Sequence, residues 1–392
     1  MSRVALEQEN NKLWFLQFLR GVACLLIVYV HWQTFLMNPG VLSGFIYQSG
    51  MPADYVAPAL VGVIGNIVDQ VKPFEIREVY LGLALFFMIS GFVIPVSLER
   101  GTKANYIIRR VARILPTAVA CTILTAGVIV VGRYMEGNTV APFSIKTIIA
   151  NATFVRDILG HPYIDTAIWT LEVEVHFYII CFVLSFFSGQ KKASVILALA
   201  LAFLLVSIAL TKDMGKFEYY RQYINLVALN GCFIVLMFVG MALYNYHSGN
   251  WPVAKTAFVT FALLVMNNFT LQYYSSATSG MMYANHVYAA LIFIVLMLLG
   301  AKLPYSKFID KVAEISYPLY LLHGACGYVL FYMAYKFLHS TYAAFALSGF
   351  AVVVLTILVH LIIERPSTPV GKRIAKMVED FRFPIGIRSR DT

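Results

Sequence analysis

The sequence predicts an all-α, polytopic transmembrane bundle of about ten spans with both termini cytoplasmic. Three observations carry that prediction. Hydrophobic residues make up 60% of the 392 and charged residues only 13%, about half the charged share of soluble domains. The mean hydropathy is +0.74. Apolar runs of about 19 residues recur along the whole chain, separated by short polar stretches.

Taken in order, the spans fall near Trp14–Leu36, Val79–Leu98, Ile114–Gly132, Ile168–Phe187, Ser194–Leu210, Tyr223–Tyr244, Pro252–Asn268, Tyr283–Ala301, Ile315–Tyr335 and Tyr342–Ile363. The first is too long and too polar inside for a signal-peptide core, and no small-residue cleavage site follows it. It is read as retained. Assigning alternate loops to each side puts about 20 Lys and Arg with the termini and about 9 opposite, leaving out Arg20. The main contributors are Arg100, Lys103, Arg109, Arg110 and Arg113 in one loop and Arg365 through Arg390 in the tail. This asymmetry places the termini in the cytoplasm; the expected location is the plasma (inner) membrane, as a multi-pass protein. It also accounts for the net charge of +10, because no basic stripe with interleaved aromatics offers itself to nucleic acid.

Two units follow: a transmembrane domain over 1–366 and a short basic cytoplasmic tail over 367–392. The tail segment TPVGKRIAKMVEDFRF has the pattern of an amphipathic helix suited to an anionic leaflet, or of a plain stop-transfer tail. The outer loops at about 37–78 and 133–167 are long, mixed in charge and rich in Gly, Pro and Asn, so they are expected to fold over a site. Cys24, Cys121, Cys181, Cys232 and Cys326 lie scattered in apolar runs without metal or redox spacing. No metal site is expected.

Polar residues inside spans are costly and mark function. In the first span Arg20 and His31 have ten residues between them. Eleven steps of about 100° bring both to nearly one stripe, roughly 16 Å apart along the axis. The second span carries Ser90-Gly91-Phe92 in its middle and Pro95 after it; small residues there admit a neighbouring helix or a ligand. At the mouth of the third, Arg110 and Arg113 stand at i and i+3, two guanidinium forks able to grip a phosphate or to serve only as positive-inside flanks. The fourth opens with IWTLEVEVHFYII. Glu172 and Glu174 point about 200° apart there, and Glu174, on the face of Thr170 and Tyr178, is taken as the deeper, buried carboxylate. In the ninth span Ser316, Tyr320 and His323 form one stripe at i, i+4 and i+7, where His323 either bonds another helix or serves the site. Glu364-Arg365-Pro366 closes the tenth.

Six segments together resemble the acyltransferase 3 family of integral-membrane O-acyltransferases, glycan O-acetylases among them: Arg20 to His31, FFMISGF at 86–92, RRVARILP at 109–116, WTLEVEVHFY at 169–178, SYPLYLLH at 316–323 and ERP at 364–366. They occur in family order over nearly the whole chain. Two positions depart from the common pattern. Ala84 stands where many members have an acidic residue, and Thr170 where many have Ser.

The resemblance implies transfer of an acyl group, acetyl by family frequency, from cytoplasmic acetyl-CoA to a hydroxyl of an extracytoplasmic or lipid-linked glycan, as in the modification of lipopolysaccharide or exopolysaccharide. On that reading Arg20, Arg110 and Arg113 bind the donor, His31 is the general base and Glu174 orients it or stabilises its imidazolium. Ser90, the Gly91 backbone and Tyr320 are candidate oxyanion donors, and Phe92, Trp169, Tyr178, Ser316 and His323 support substrate or structure. The partners implied are acyl-CoA, a saccharide acceptor and the lipid bilayer. A different class fits the same buried charges: a proton-coupled transporter or flippase in which His31 and Glu174 relay protons.

Overall fold

The computed structural model describes residues 3–46, 51–71, 75–99, 101–212, 221–274 and 277–382. Arg100 and the tail beyond 382, counted above as charges, lie outside them. Among the described residues every regular element is helical. In lipid this is the expected outcome, because a helix satisfies its backbone groups within one segment.

Eight helices are long and apolar enough to cross a bilayer. They lie within α1 (Arg3–Met37), α4 (Glu78–Glu99), α5 (Lys103–Met135), α8 (Ile168–Leu184), α10 (Arg221–His247), α11 (Val253–Tyr274), α12 (Ser279–Leu299) and α15 (Thr341–Val359). The remaining two expected spans are α9 (Ala193–Lys212) and a pair, α13 (Lys307–Leu322) and α14 (Ala325–Leu338). The ninth span is thus two helices broken at His323-Gly324, not one. Short helices α2 (Leu42–Ile46), α3 (Ala59–Val71), α6 (Ile145–Ala152) and α7 (Arg156–Leu159) occupy the two outer loops. All five cysteines are buried, which makes them packing residues rather than lipid-facing ones.

Glycines decide how closely the central helices approach. A Cβ on Gly91 of α4 would overlap the carbonyl of Met237, and one on Gly240 of α10 the carbonyl of Met88. The two backbones therefore touch, as small-residue helix packing in membranes requires. Gly91 faces α10, so helix packing explains it and its backbone is closed to a ligand. Beside that crossing, Phe92 is fully buried against Phe15, Tyr244 and Phe293 with ring centroids 5.6–5.8 Å away. Gly21 plays the same part between α1 and α13, where an added Cβ would lie 2.7 Å from the Ile309 carbonyl oxygen.

The last span does not stop at Glu364-Arg365-Pro366. The helix passes through a π turn over His360–Glu364, where the His360 ring meets the Glu364 carboxylate at 2.7 Å, and continues as α16 (Arg365–Arg382). The wider turn changes register just before Pro366, which has no N–H to offer the ladder. Instead of lying free on a leaflet, α16 packs on α5: Gly371 faces Ala112, and Asn105 Nδ2 donates to Glu379 at 3.0 Å.

Candidate active site

Three arginines converge on one cavity of about 420 Å³ in the cytoplasmic half of the bundle, as assigned by loop charge. Arg20 enters from α1, and Arg110 and Arg113 enter from α5. Tyr317 anchors the α13 wall to α5 by donating to the Ile114 carbonyl at 2.9 Å. The guanidinium of Arg110 lies over the ring of Tyr178, 5.3 Å from its centroid, and 5.9 Å from that of Tyr106. No carboxylate comes within 4.0 Å of any of the three arginines among the described residues. The cavity therefore presents guanidinium charge that the protein itself leaves without an ion pair.

Glu174 is the carboxylate lining this cavity. Its Oε1 accepts from Ser90 Oγ at 2.7 Å and from the Tyr178 hydroxyl. The burial order of the two glutamates is the reverse of the sequence expectation. Glu174 is partly exposed and lines the cavity, whereas Glu172 is 1% exposed. Glu172 tolerates that depth because Arg156 of α7 grips it with both forks, Nε to Oε1 at 2.8 Å and Nη2 to Oε2 at 2.6 Å. A buried carboxylate needs such a partner, and it came from a loop residue that hydropathy ignores.

His31 is absent from the residues lining the arginine cavity. Its half-buried ring lies one helical turn beyond Ile27, and Nδ1 is 2.8 Å from Nε2 of His323. The structure thus brings Arg20, Arg110, Arg113 and Glu174 together, and His31 with His323, but pairs no Glu174 oxygen with His31. Between the two groups stands Tyr320. It lines the cavity, and its hydroxyl is 2.9 Å from Thr170 Oγ1, which itself donates to the Ala167 carbonyl at 3.0 Å. The Tyr320 hydroxyl is therefore the donor to Thr170, as the Ser90 hydroxyl is to Glu174. The hydroxyl that Thr170 shares with the Ser common at this position is the group used. Ser316 also lines the cavity and donates to the Ala313 carbonyl at 2.8 Å.

A second cavity, about 640 Å³, is lined by residues of the 133–167 loop and of the helices beside it. Tyr80, Tyr163 and Trp169 give it aromatic faces, and Arg156, Asp157 and Glu172 give it charge. Leu83 lines both cavities, and a cluster of Phe87, Trp169 and Phe233, with centroids 4.7–6.2 Å apart, separates them. The partition is about one side chain thick.

Sequence reasoning missed Asp165. From the loop before α8 it reaches the break in the ninth span, where Oδ1 accepts from Ala167 N–H at 2.8 Å and Oδ2 from Ala325 N–H at 2.9 Å. One carboxylate caps the starts of two helices, where orphan N–H groups and the helix dipole both favour an acceptor. Burial pushes its acid up from 3.8 to about 6 against those two bonds. No motif announces it.

A family model for acyltransferase 3, described as an acyltransferase domain, matches residues 13–365. The chain belongs to the acyltransferase 3 family. No curated protein and no solved structure matches it. This family member is therefore a multi-pass membrane acyltransferase, and the match takes in both cavities and the histidine pair. The break at His323-Gly324 resembles the discontinuous helices that transporters use.

Proposed function

We propose that this acyltransferase moves an acetyl group from cytoplasmic acetyl-CoA to a hydroxyl of a saccharide presented on the outer side of the plasma membrane. The observation that carries the donor half is the trio Arg20, Arg110 and Arg113, facing one cavity without carboxylate partners within 4.0 Å. Guanidinium forks that make no ion pair within 4.0 Å suit an anionic ligand that binds through charge-assisted, bidentate bonds. The phosphates of a coenzyme A thioester supply such an anion, and its pantetheine arm is long and thin enough to follow a cavity toward the middle of the membrane.

The second cavity supports the acceptor half. Tyr80 and Trp169 offer flat apolar faces that a hydroxyl-rich ring uses. An acceptor entering there and a donor entering from the cytoplasm are divided by Leu83 and the Phe87–Trp169–Phe233 cluster, and His31 lines neither cavity, so transfer requires both to reach toward the histidine pair. In the reaction His31 takes the acceptor O–H proton as the oxygen attacks the thioester carbon. The carbon–sulfur bond breaks, and the same proton passes from the imidazolium to the departing thiolate. Glu174, set between Ser90 and Tyr178, supplies negative charge on the cavity wall and fixes those two hydroxyls.

The test is a calorimetric titration of the detergent-solubilised protein with coenzyme A. Each of Arg110→Ala and Arg113→Ala is expected to weaken binding about tenfold, the equivalent of one charge-assisted bond at about 1.5 kcal/mol. Unchanged affinity in both variants would return the arginines to the role of topology signals.

A further inference from the structure

The break in the ninth span explains a choice of proton position that neither histidine makes alone. In a continuous helix the carbonyl of Tyr320 would accept from the N–H four residues later. Here α13 ends at Leu322, and Asp165 holds the start of α14 instead by binding Ala325 N–H. The freed carbonyl of Tyr320 is taken by the ring of His323, whose Nδ1 lies 2.8 Å from it and 3.2 Å from the Leu319 carbonyl.

A carbonyl oxygen only accepts, so Nδ1 of His323 carries a proton. In a neutral ring Nε2 is then a lone pair. That lone pair is 2.8 Å from Nδ1 of His31, and the two rings are nearly parallel, 4° apart. His31 Nδ1 must therefore be the donor, which leaves the lone pair of His31 on Nε2, the nitrogen with no hydrogen-bond partner among the described residues. His323 is 0% exposed, so solvent does not compete for the bond.

We infer that His323 is a positioning residue that locks His31 in the Nδ1–H form through a chain running from the Tyr320 carbonyl through both rings, so that Nε2 of His31 is the basic nitrogen. It fills the place that a carboxylate fills in a hydrolase triad, holding the base by the nitrogen that does not react. When Nε2 gains a proton from the acceptor hydroxyl, Nδ1–H stays bonded to the neutral His323 ring and the imidazolium keeps its orientation. Using a neutral ring rather than a carboxylate avoids burying a second full charge at membrane depth. The inference rests on His31 being the base.

The experiment pairs two substitutions of similar size with a measurement that needs no turnover. In His323→Gln the side-chain oxygen still accepts from His31 and the amide N–H still reaches the Tyr320 carbonyl; in His323→Leu both bonds vanish while the packing volume is kept. Acetyl transfer by His323→Gln is expected within about tenfold of wild type, and by His323→Leu about 100-fold or more lower in kcat, the size of a positioned base, with KM for acetyl-CoA unchanged. If His323→Gln loses as much as His323→Leu, or His323→Leu loses nothing, the positioning role is overturned. In parallel, nitrogen NMR of protein with ¹⁵N-labelled histidine, with His31 assigned by its loss in His31→Gln, is expected to show a protonated Nδ1 and a bare Nε2. That pattern should give way to the opposite form in His323→Leu. A bare Nδ1 in wild type refutes the inference even if His31→Ala is inactive; an active His31→Ala with the expected spectrum refutes the base assignment and not the tautomer.

Discussion

Removing the Arg156 guanidinium would strand the Glu172 carboxylate, 1% exposed, with its two strongest donors gone. The expected cost for Arg156→Met is about 3–5 kcal/mol, the usual penalty for one orphaned partner of a buried pair. Arg156→Met/Glu172→Leu, which removes both charges, should recover most of it. Thermal unfolding of the purified variants in detergent reads the difference; a double variant no better than the single would mean that the pair does more than neutralise itself. At this scale the chain disclosed its costly residues but not their partners. Arg20, Arg110, Arg113 and Glu174 were legible because motif spacing and apolar surroundings single them out. Arg156 and Asp165 were not, because a charged residue in a polar loop looks ordinary until the loop folds into the bundle.

Elements meet where side chains are smallest. The α4–α10 crossing places Gly91 and Gly240 each against a carbonyl of the other helix. An alanine at either position must push two spans apart, and α4 carries Ser90 into the cavity. Gly91→Ala and Gly240→Ala are expected to lower the yield of monodisperse protein sharply. Gly127→Ala in α5, where nothing lies within 4 Å, should be neutral or stabilising by about 0.5–1 kcal/mol from helix propensity. Size-exclusion profiles and melting temperatures of the three variants check this, and normal behaviour of Gly91→Ala would show that the crossing relaxes. Span positions were readable to within a few residues, since a hydropathy window integrates a local property. The split of the ninth span was not: a hydropathy window carries Ile315–Tyr335 as one run, and the break depends on a carboxylate more than 150 positions away in the chain.

Over the whole molecule, Asp165 ties the outer loop, α8 and the α13–α14 break into one unit, and this gives stability a pH dependence of definite sign. Its acid sits at about 6 in the fold against 3.8 in the open chain. Between those values the unfolded chain has lost a proton that the folded one keeps, so stability falls as pH rises through the window and levels off above about 6. The gap corresponds to at most about 3 kcal/mol. Asp165→Asn removes the titration, so the melting temperature of wild type measured against this variant should drop between about pH 4 and 6. A constant difference across that range would mean that Asp165 is ionised throughout.

The sequence by itself determined the membrane setting, the near positions of the eight helices long and apolar enough to cross a bilayer, the family and the set of residues too costly to be idle. These follow from local composition and from helical period, quantities that need no knowledge of distant contacts. The tertiary structure decided the pairings: Arg156 with Glu172, Asp165 with Ala325, and His31 with His323, separated by 292 positions in the chain. Each depends on the rotation and depth of two helices at once, and only the packed bundle sets those. Arg20 and His31, which share one stripe of the first span by sequence, part in the fold: Arg20 faces the arginine cavity, and His31 pairs with His323 outside its lining.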